Sequence, residues 1–215
     1  CDGFLDEYSI TEVRPTELTD IEQLLLGDAY LDAGQKEVQY NIMDIFTDDI
    51  KCNGLGNEGY RTYFENMRWR FLWDADMFNN AGGGYDAAFW ELPYNKILGC
   101  NIVLDCLDEM TGETSLRENL RGEALTLRSM YYLMLVNMYG MPYNEGDPNL
   151  NPGVPLKLTY YVEHDKDKET QFERTPVAKV YEQIVKDLKE SVDCFTKSPQ
   201  TKSFYRASKG AALLL

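Results

Sequence analysis

Along this chain, apolar residues recur at helical spacing in long stretches separated by segments rich in glycine, proline and charge. The cleanest stretch begins after Pro176, where Val177, Val180, Tyr181, Ile184, Val185, Leu188, Val192 and Phe195 keep the i, i+3, i+4 rhythm. That rhythm aligns them on one side of a helix with 3.6 residues per turn. Thr175 is expected to cap this helix and Pro176 to sit in its first turn, where a missing N–H costs nothing, with Pro199 closing it.

Upstream, "LRGEALTLRSMYYLMLVNMYGMPY" (Leu120 to Tyr143) carries two apolar stripes. Leu116, Leu120, Ala124, Leu127, Tyr131, Leu135 and Met138 form one, and Leu125, Tyr132, Val136 and Tyr139 the other. Such a helix is covered on more than one side. Ser115 with Glu118 predicts a capping box at its start, Gly140 suits the left-handed position past its end, and Pro142 cannot continue it. A partner helix is predicted from Asp86 to about Met110, turning Phe89, Tyr94, Ile97, Leu98, Ile102 and Leu104 inward, with Pro93 either kinking it or marking a late start. Thr19 and Glu22 predict a further capping box, opening a first helix from about Asp20 to Leu31. Val38 to Asp49 is expected to be helical near its start. Around Ser208 another helix opens and runs into "GAALLL".

Between these stretches lie breakers. Asn53 to Gly59 reads as a loop, the aromatic run from Tyr60 to Phe78 as irregular or partly helical, and Ala81-Gly82-Gly83-Gly84 as a break. Asn144 to Arg174 is a long polar connector holding the charged cluster His164 to Glu169. The fold class predicted is all-α, built of stacked tetratricopeptide-like helix pairs with long loops and little or no β. It is inferred from helix length and order, since the consensus residues of the repeat are absent. Residues 1–15 are expected to form a flexible N-terminal tether and residues 16–215 a helical domain truncated at its C-terminal end. Its missing partner surface would come from residues beyond 215 or from another chain.

Charge narrows the partners. The 36 acidic and 21 basic residues of this 215-residue chain give a net charge of -15. A field of that sign repels phosphate backbones and anionic lipid, which argues against nucleic acid and polybasic membrane docking. No apolar run approaches the 18 or so residues of a membrane span.

Cys1 in place of Met implies a processed or trimmed start, and either a lipidated cysteine or a sequence boundary at a cysteine accounts for it. Cys100 and Cys106 are six apart, about 9 Å along a helix, too far for a direct bridge. No CxxC occurs, and with one histidine, His164, there is nothing from which to build a His triad or a His-rich metal site. No cofactor is called for.

Gly54 to Gly59 satisfies G-x-G-x-x-G, but no buried strand precedes it, so it does not read as a dinucleotide site. Asp165, Asp167 and Glu169 alternate like the start of a calcium loop, yet Thr170 stands where glycine is needed. Asp48-Asp49 or Asp74 with Asp76 could be drawn as a glycosidase pair only with a geometry that the sequence does not supply.

"RFLWDADMFNNAGGGYDAAFW" (Arg70 to Trp90) is the constellation best suited to ligand chemistry. Trp73 and Tyr85 offer ring faces for stacking on a sugar, while Asp76, Asn79 and Asn80 offer carboxylate and amide groups to its hydroxyls. Burial as core is the plainer expectation for Trp90, which leads into the helix face of Tyr94 and Ile97, and also the default for Trp73 and Tyr85. Arg121 and Arg128, seven apart on one helix face, are expected to form ion pairs with carboxylates such as Glu123 or an Asp of a neighbouring helix.

The order of features resembles the SusD/RagB family of outer-membrane nutrient-binding lipoproteins. The resemblance rests on Cys1 with Phe4-Leu5-Asp6, "LLLGDAY", "FTDDI" and Trp90-x3-Tyr94-x2-Ile97-x3-Asn101. It continues through Arg121-Gly122-Glu123-Ala124 with Leu127-Arg128, Tyr132, "YGMP", Val154-Pro155-Leu156, Arg174-Thr175-Pro176, "VYEQIVKDL" and "SKGAALLL". It implies the N-terminal portion of a non-catalytic surface protein that captures an oligosaccharide or other nutrient and delivers it to a TonB-dependent, SusC-like outer-membrane transporter. It also implies Cys1 as the acylated residue holding the chain to the membrane. Two other classes stay open on the residues alone: a helical-repeat scaffold that binds only proteins, and a glycan-cleaving enzyme.

Overall fold

The computed structural model describes residues 15–31, 48, 51, 61, 65, 68–77, 85–161, 173–198 and 206–215. Among them the regular elements are helical, in the order α1 (Leu18–Leu24), a π-helical turn (Leu25–Ala29), α2 (Tyr85–Cys106), α3 (Thr114–Tyr139), α4 (Val177–Lys197) and α5 (Lys209–Leu214). The fold is all-α. The expected helix within 38–49, the loop at 53–59 and the glycine break at 81–84 lie outside the described residues, apart from Asp48.

α3 is the central helix. Leu120, Ala124, Tyr131, Tyr132 and Leu135 are almost wholly buried, as two apolar stripes require, and α2 and α4 pack on it. α4 buries the stripe Val177, Val180, Ile184 and Leu188 against it. α2 contributes Ile97, Cys100 and Val103, and α1 with its π turn closes the other side through Leu18, Ile21 and Leu25.

α1 starts two residues before the expected Asp20. The carboxylate of Asp20 accepts hydrogen bonds from the backbone N–H of Thr16 (2.9 Å) and Glu17 (3.1 Å), so the box is Glu17 with Asp20 rather than Thr19 with Glu22. Glu22 is unavailable for capping because it is buried and salt-bridged to Arg206. The π turn then lets the chain pass close to α2. A Cβ on Gly99 would come within 2.7 Å of the Asp28 carbonyl oxygen, so only glycine permits this approach. The Gly27 carbonyl accepts from Lys96 Nζ at 3.3 Å, tying the π turn to α2.

Four other helix boundaries depart from expectation. α3 is capped at Glu113, and Ser115 lies inside its first turn, donating to the Glu113 carboxylate at 3.4 Å. Gly140 is extended (φ -77, ψ 159), not left-handed. Glycine is needed there for room, since an added Cβ would lie 2.5 Å from the Val136 carbonyl oxygen. Thr175 does not cap α4, whose N-cap is Pro176, because its hydroxyl accepts from Leu156 N–H at 3.2 Å. The partner helix ends at Cys106 rather than near Met110, and Pro93 lies within it. Arg117 covers that end, its Nε donating to the Leu107 carbonyl (3.0 Å) and a terminal nitrogen to that of Met110 (2.7 Å).

Two buried polar assemblies lock the stack. Arg128 on α3 forms a two-pronged ion pair with Asp187 on α4 (2.7 and 2.9 Å) and donates to Asn101 Oδ1 on α2 at 2.9 Å. Asn101 in turn donates to the carbonyls of Lys157 (2.9 Å) and Thr159 (3.3 Å). Tyr94, two turns before Asn101 on the same face, donates to the Pro155 carbonyl at 2.8 Å. The Tyr132 hydroxyl both donates to the Lys157 carbonyl and accepts from its N–H, each at 2.7 Å. Tyr94, Asn101, Arg128 and Tyr132 thus share one task, pinning the connector after α3 across α2 and α3. Arg174 fastens the same connector by donating to the carbonyls of Gly153 (2.7 Å) and Tyr139.

In the second assembly Arg206 bridges Glu22 on α1 (2.5 Å) and Glu123 on α3 (2.8 Å). Tyr30 donates to Glu123 at 2.7 Å, and burial together with that carboxylate pushes its phenol far above the usual tyrosine range. Arg121 and Arg128 do form ion pairs, the first with Asp108 just past the end of α2 and the second with Asp187 on α4, while Glu123, the expected partner, pairs with Arg206.

Candidate functional site

The segment holding the sequence-predicted ligand residues is described from Arg68 to Met77. Arg68 to Phe71 form one helical turn, with the Arg68 guanidinium 4.3 Å from the centre of the Trp69 ring. The turn ends in paired hydrogen bonds: Trp73 N–H to the Arg70 carbonyl at 3.1 Å and Asp74 N–H to the Trp69 carbonyl at 3.0 Å. This is the Schellman arrangement, in which the residue past the helix end adopts a left-handed conformation and is usually glycine. Here that residue is Trp73, with φ 52, the one non-glycine residue of positive φ among those described. A left-handed conformation costs a residue bearing a Cβ about 1–2 kcal/mol.

The strained position has a definite consequence for the side chain. Trp73 is 64% exposed and its neighbour Leu72 69%. The expectation of core burial fails for Trp73, whose ring lies at the surface past the end of the helical turn. Asp74 secures the next turn of the chain, its Oδ1 accepting from the Asp76 backbone N–H at 2.8 Å. The Asp76 carboxylate is exposed, on the same short turn as Trp73.

Of the remaining ligand candidates, Tyr85 is the first residue of α2. Asn79 and Asn80 lie outside the described residues, as do Cys1, Cys52, the Gly54–Gly59 motif and the His164–Glu169 cluster. Trp73 and Asp76 are therefore the two candidates whose surroundings the structure defines.

Trp90 also differs from expectation. It is 38% exposed, resting edge-on against Tyr139 (5.0 Å between ring centres, 83°) and tilted against Tyr94 (5.1 Å, 52°). It forms the outer member of an aromatic row continuing to Tyr132, which meets Tyr94 edge-on at 6.4 Å. Sequence reasoning missed a second exposed aromatic pair, Tyr160 and Tyr161, whose rings stand perpendicular at 5.4 Å. It sits on the connector pinned by Asn101 and Tyr132, and nothing in the local pattern separates it from core tyrosines.

Among the described residues Cys100, Cys106 and Cys194 are free, and burial pushes the Cys100 and Cys194 thiols up to about 12. Among the described residues no group of His, Cys, Asp and Glu is arranged to hold a metal ion, and no helix is long and apolar enough to cross a membrane.

Comparison with known proteins gives these features a setting. A SusD-like family described as "starch-binding associating with outer membrane" matches residues 3–215. A SusD-like carbohydrate binding protein from Bacteroides vulgatus has a similar fold, with a TM-score of 0.70, 23% sequence identity, and coverage of 93% of this chain and 40% of its own. A SusD superfamily protein from Bacteroides thetaiotaomicron gives a TM-score of 0.58 at 20% identity, covering 92% of this chain and 39% of its own. Surface glycan-binding protein A from Bacteroides uniformis gives 0.57 at 20%, covering 90% and 39%. The chain thus spans about two fifths of the length of the solved proteins it resembles. No curated protein matches it.

Proposed function

This chain belongs to the SusD-like family, and from that premise we propose that it takes part in capturing an oligosaccharide at the outer surface of a bacterium without cleaving it. The helical stack is the scaffold, and the turn carrying Trp73 is a point of recognition. On this reading, residues 16–215 are the N-terminal part of a longer protein that is anchored through a lipid on Cys1. It passes its ligand to a TonB-dependent, SusC-like transporter.

The observation that carries the reading is Trp73 itself. A tryptophan held out of the core, in a backbone conformation that disfavours any side chain, is poor stability design, and strain of this kind clusters at ligand-contacting sites. An exposed indole face stacks on the apolar face of a pyranose, and the exposed Asp76 carboxylate accepts hydrogen bonds from ring hydroxyls. A carbohydrate-cleaving role would need two carboxyl groups about 5 to 9.5 Å apart across a bond. Asp74 and Asp76 share a tight turn, and the first carboxylate is engaged by the backbone N–H of the second.

Calorimetric titration of the whole gene product with a panel of oligosaccharides, malto-oligosaccharides among them, tests this. Saturable binding without turnover, weakened by Trp73→Ala and by Asp76→Ala, is the expected result. Affinity unchanged in both variants would remove this turn from the site, and hydrolysis of a bound oligosaccharide would overturn the non-catalytic reading.

A further inference from the structure

Tyr160 and Tyr161 form an exposed corner on the connector after α3, at 46% and 48% exposure, with perpendicular rings whose centres are 5.4 Å apart. The backbone leading to them is fastened from the core. Tyr132 holds Lys157 through both its N–H and its carbonyl, and Asn101 holds the carbonyls of Lys157 and Thr159. Asn101 is itself held by Arg128, which Asp187 fixes in turn. Two large rings are therefore displayed at the surface on a rooted segment. A tyrosine has only two side-chain torsions to lose, and a rooted backbone has little freedom left, so this corner is preorganised for contact.

Lys157 completes the corner. Its side chain folds back so that Nζ lies 5.7 Å from the centre of the Tyr161 ring, donating to Thr159 Oγ1 at 2.9 Å and to the Tyr161 carbonyl. An ammonium group carries three N–H donors, so a third is left for a group outside the chain. Both of these acceptors are neutral, and among the described residues no carboxylate pairs with Lys157. Lys179 and Arg206, by contrast, meet glutamates at 2.5–2.8 Å. In a chain of net charge -15, a cation without a counter-ion beside two exposed rings is the exception.

We propose that this corner binds an acidic sugar residue, a pyranose carrying one carboxylate, with its apolar face on a tyrosine ring and its carboxylate on the Lys157 ammonium. The inference rests on the reading of the chain as a carbohydrate-binding protein, and adds a class of sugar at residues other than the Trp73 turn. Ring stacking supplies contact area. The ammonium supplies a charge-assisted hydrogen bond, which a neutral sugar cannot match. The charge of the whole chain disfavours polyanions, every group of which feels it. A single carboxylate touching Lys157 feels chiefly that ammonium, because mobile ions screen charges beyond about 8 Å at physiological salt.

Calorimetric titration of the whole gene product with matched pairs of gluco-, galacto- and manno-oligosaccharides tests this, the members of each pair differing only in a C6 carboxylate on the terminal residue. For at least one pair the acidic member is expected to bind about tenfold more tightly than its neutral counterpart, the worth of a hydrogen bond to a charged group. Lys157→Met should bring the acidic member down to the affinity of the neutral one, Lys157→Arg should keep the preference, and Tyr160→Ala with Tyr161→Ala should weaken the acidic member. Equal affinity for the two members of every pair would overturn the proposal, as would a preference that survives Lys157→Met. A Lys157→Met variant that weakens both members alike would also overturn it, by making the lysine a support of the turn. Trp73→Ala separates the two readings: neutral binding that this variant weakens, without any acid preference in the natural protein, overturns the corner alone. Failure of every oligosaccharide to bind overturns both.

Discussion

Arg128 and Trp73 are both misplaced by simple composition rules, one a charge in the core and the other a large aromatic in solvent, and the surroundings treat them in opposite ways. Around Arg128 the guanidinium meets two carboxylate oxygens and an amide oxygen, and through Asn101 it reaches the connector backbone. Around Trp73 the backbone is organised while the ring stays largely exposed. The first region spends its chemistry on geometry. The second leaves part of an indole ring at the surface, which on the proposed reading is where a ligand stacks.

The largest effect that would break this contrast is removal of one partner in the buried ion pair. Asp187→Ala leaves Arg128 buried with an uncompensated charge and is expected to cost about 3–5 kcal/mol of stability in chemical denaturation. Retained stability would mean that the pair is not what holds α3 to α4. Next comes Glu123→Gln, which weakens the hold on Arg206 and Tyr30. A lowered thermal midpoint, with a loss of about 1.5–3 kcal/mol in denaturation, is expected for a charge-assisted contact of this kind. Tyr94→Phe deletes only the hydrogen bond to the Pro155 carbonyl, and a loss of about 1 kcal/mol is the expectation.

The smallest effect concerns Asp20. Backbone hydrogen bonds from Thr16 and Glu17 hold its carboxyl below the ordinary value of 3.8. A depressed carboxylate contributes stability that is present above the unfolded value and lost as pH falls through the folded one. The gap in thermal midpoint between the natural chain and Asp20→Asn should therefore be constant above about pH 5 and close below 3.8. A gap that persists at pH 2 would show that the cap does not depend on charge.

The sequence made the long helices legible for the same reason that they are stable. α2, α3 and α4 each bury a stripe over about three or more turns, so the 3.6-residue period survives local exceptions. Boundaries were harder because short polar side chains there have competing partners. Glu22 left a plausible capping box to meet Arg206, and Thr175 turned from α4 to the connector. Both choices depend on residues far away in sequence. The family blocks around Tyr94, Asn101, Arg128 and Tyr132 were visible as spacing, but their shared task became clear only once the connector lay across them.

The candidate segment stands out in composition and not in conformation. Aromatic, carboxylate and amide residues cluster from Arg70 to Trp90, and of these Trp73, expected by default in the core, is exposed. That Trp73 would occupy a left-handed position had no local signal, since glycine is the usual occupant there and a tryptophan argues against it. Trp90, expected in the core, instead lies half in solvent because its ring ends the aromatic row rather than entering the stack.

Trp73→Gly tests the central claim most directly, because glycine relieves the left-handed strain while removing the indole. If the tryptophan is retained for recognition, this variant of the whole gene product should be as stable as the natural protein or more so, by up to about 1 kcal/mol, and should lose oligosaccharide affinity by about tenfold or more. Unchanged affinity, or a large loss of stability on substitution, would contradict the account by making Trp73 a structural residue of the scaffold.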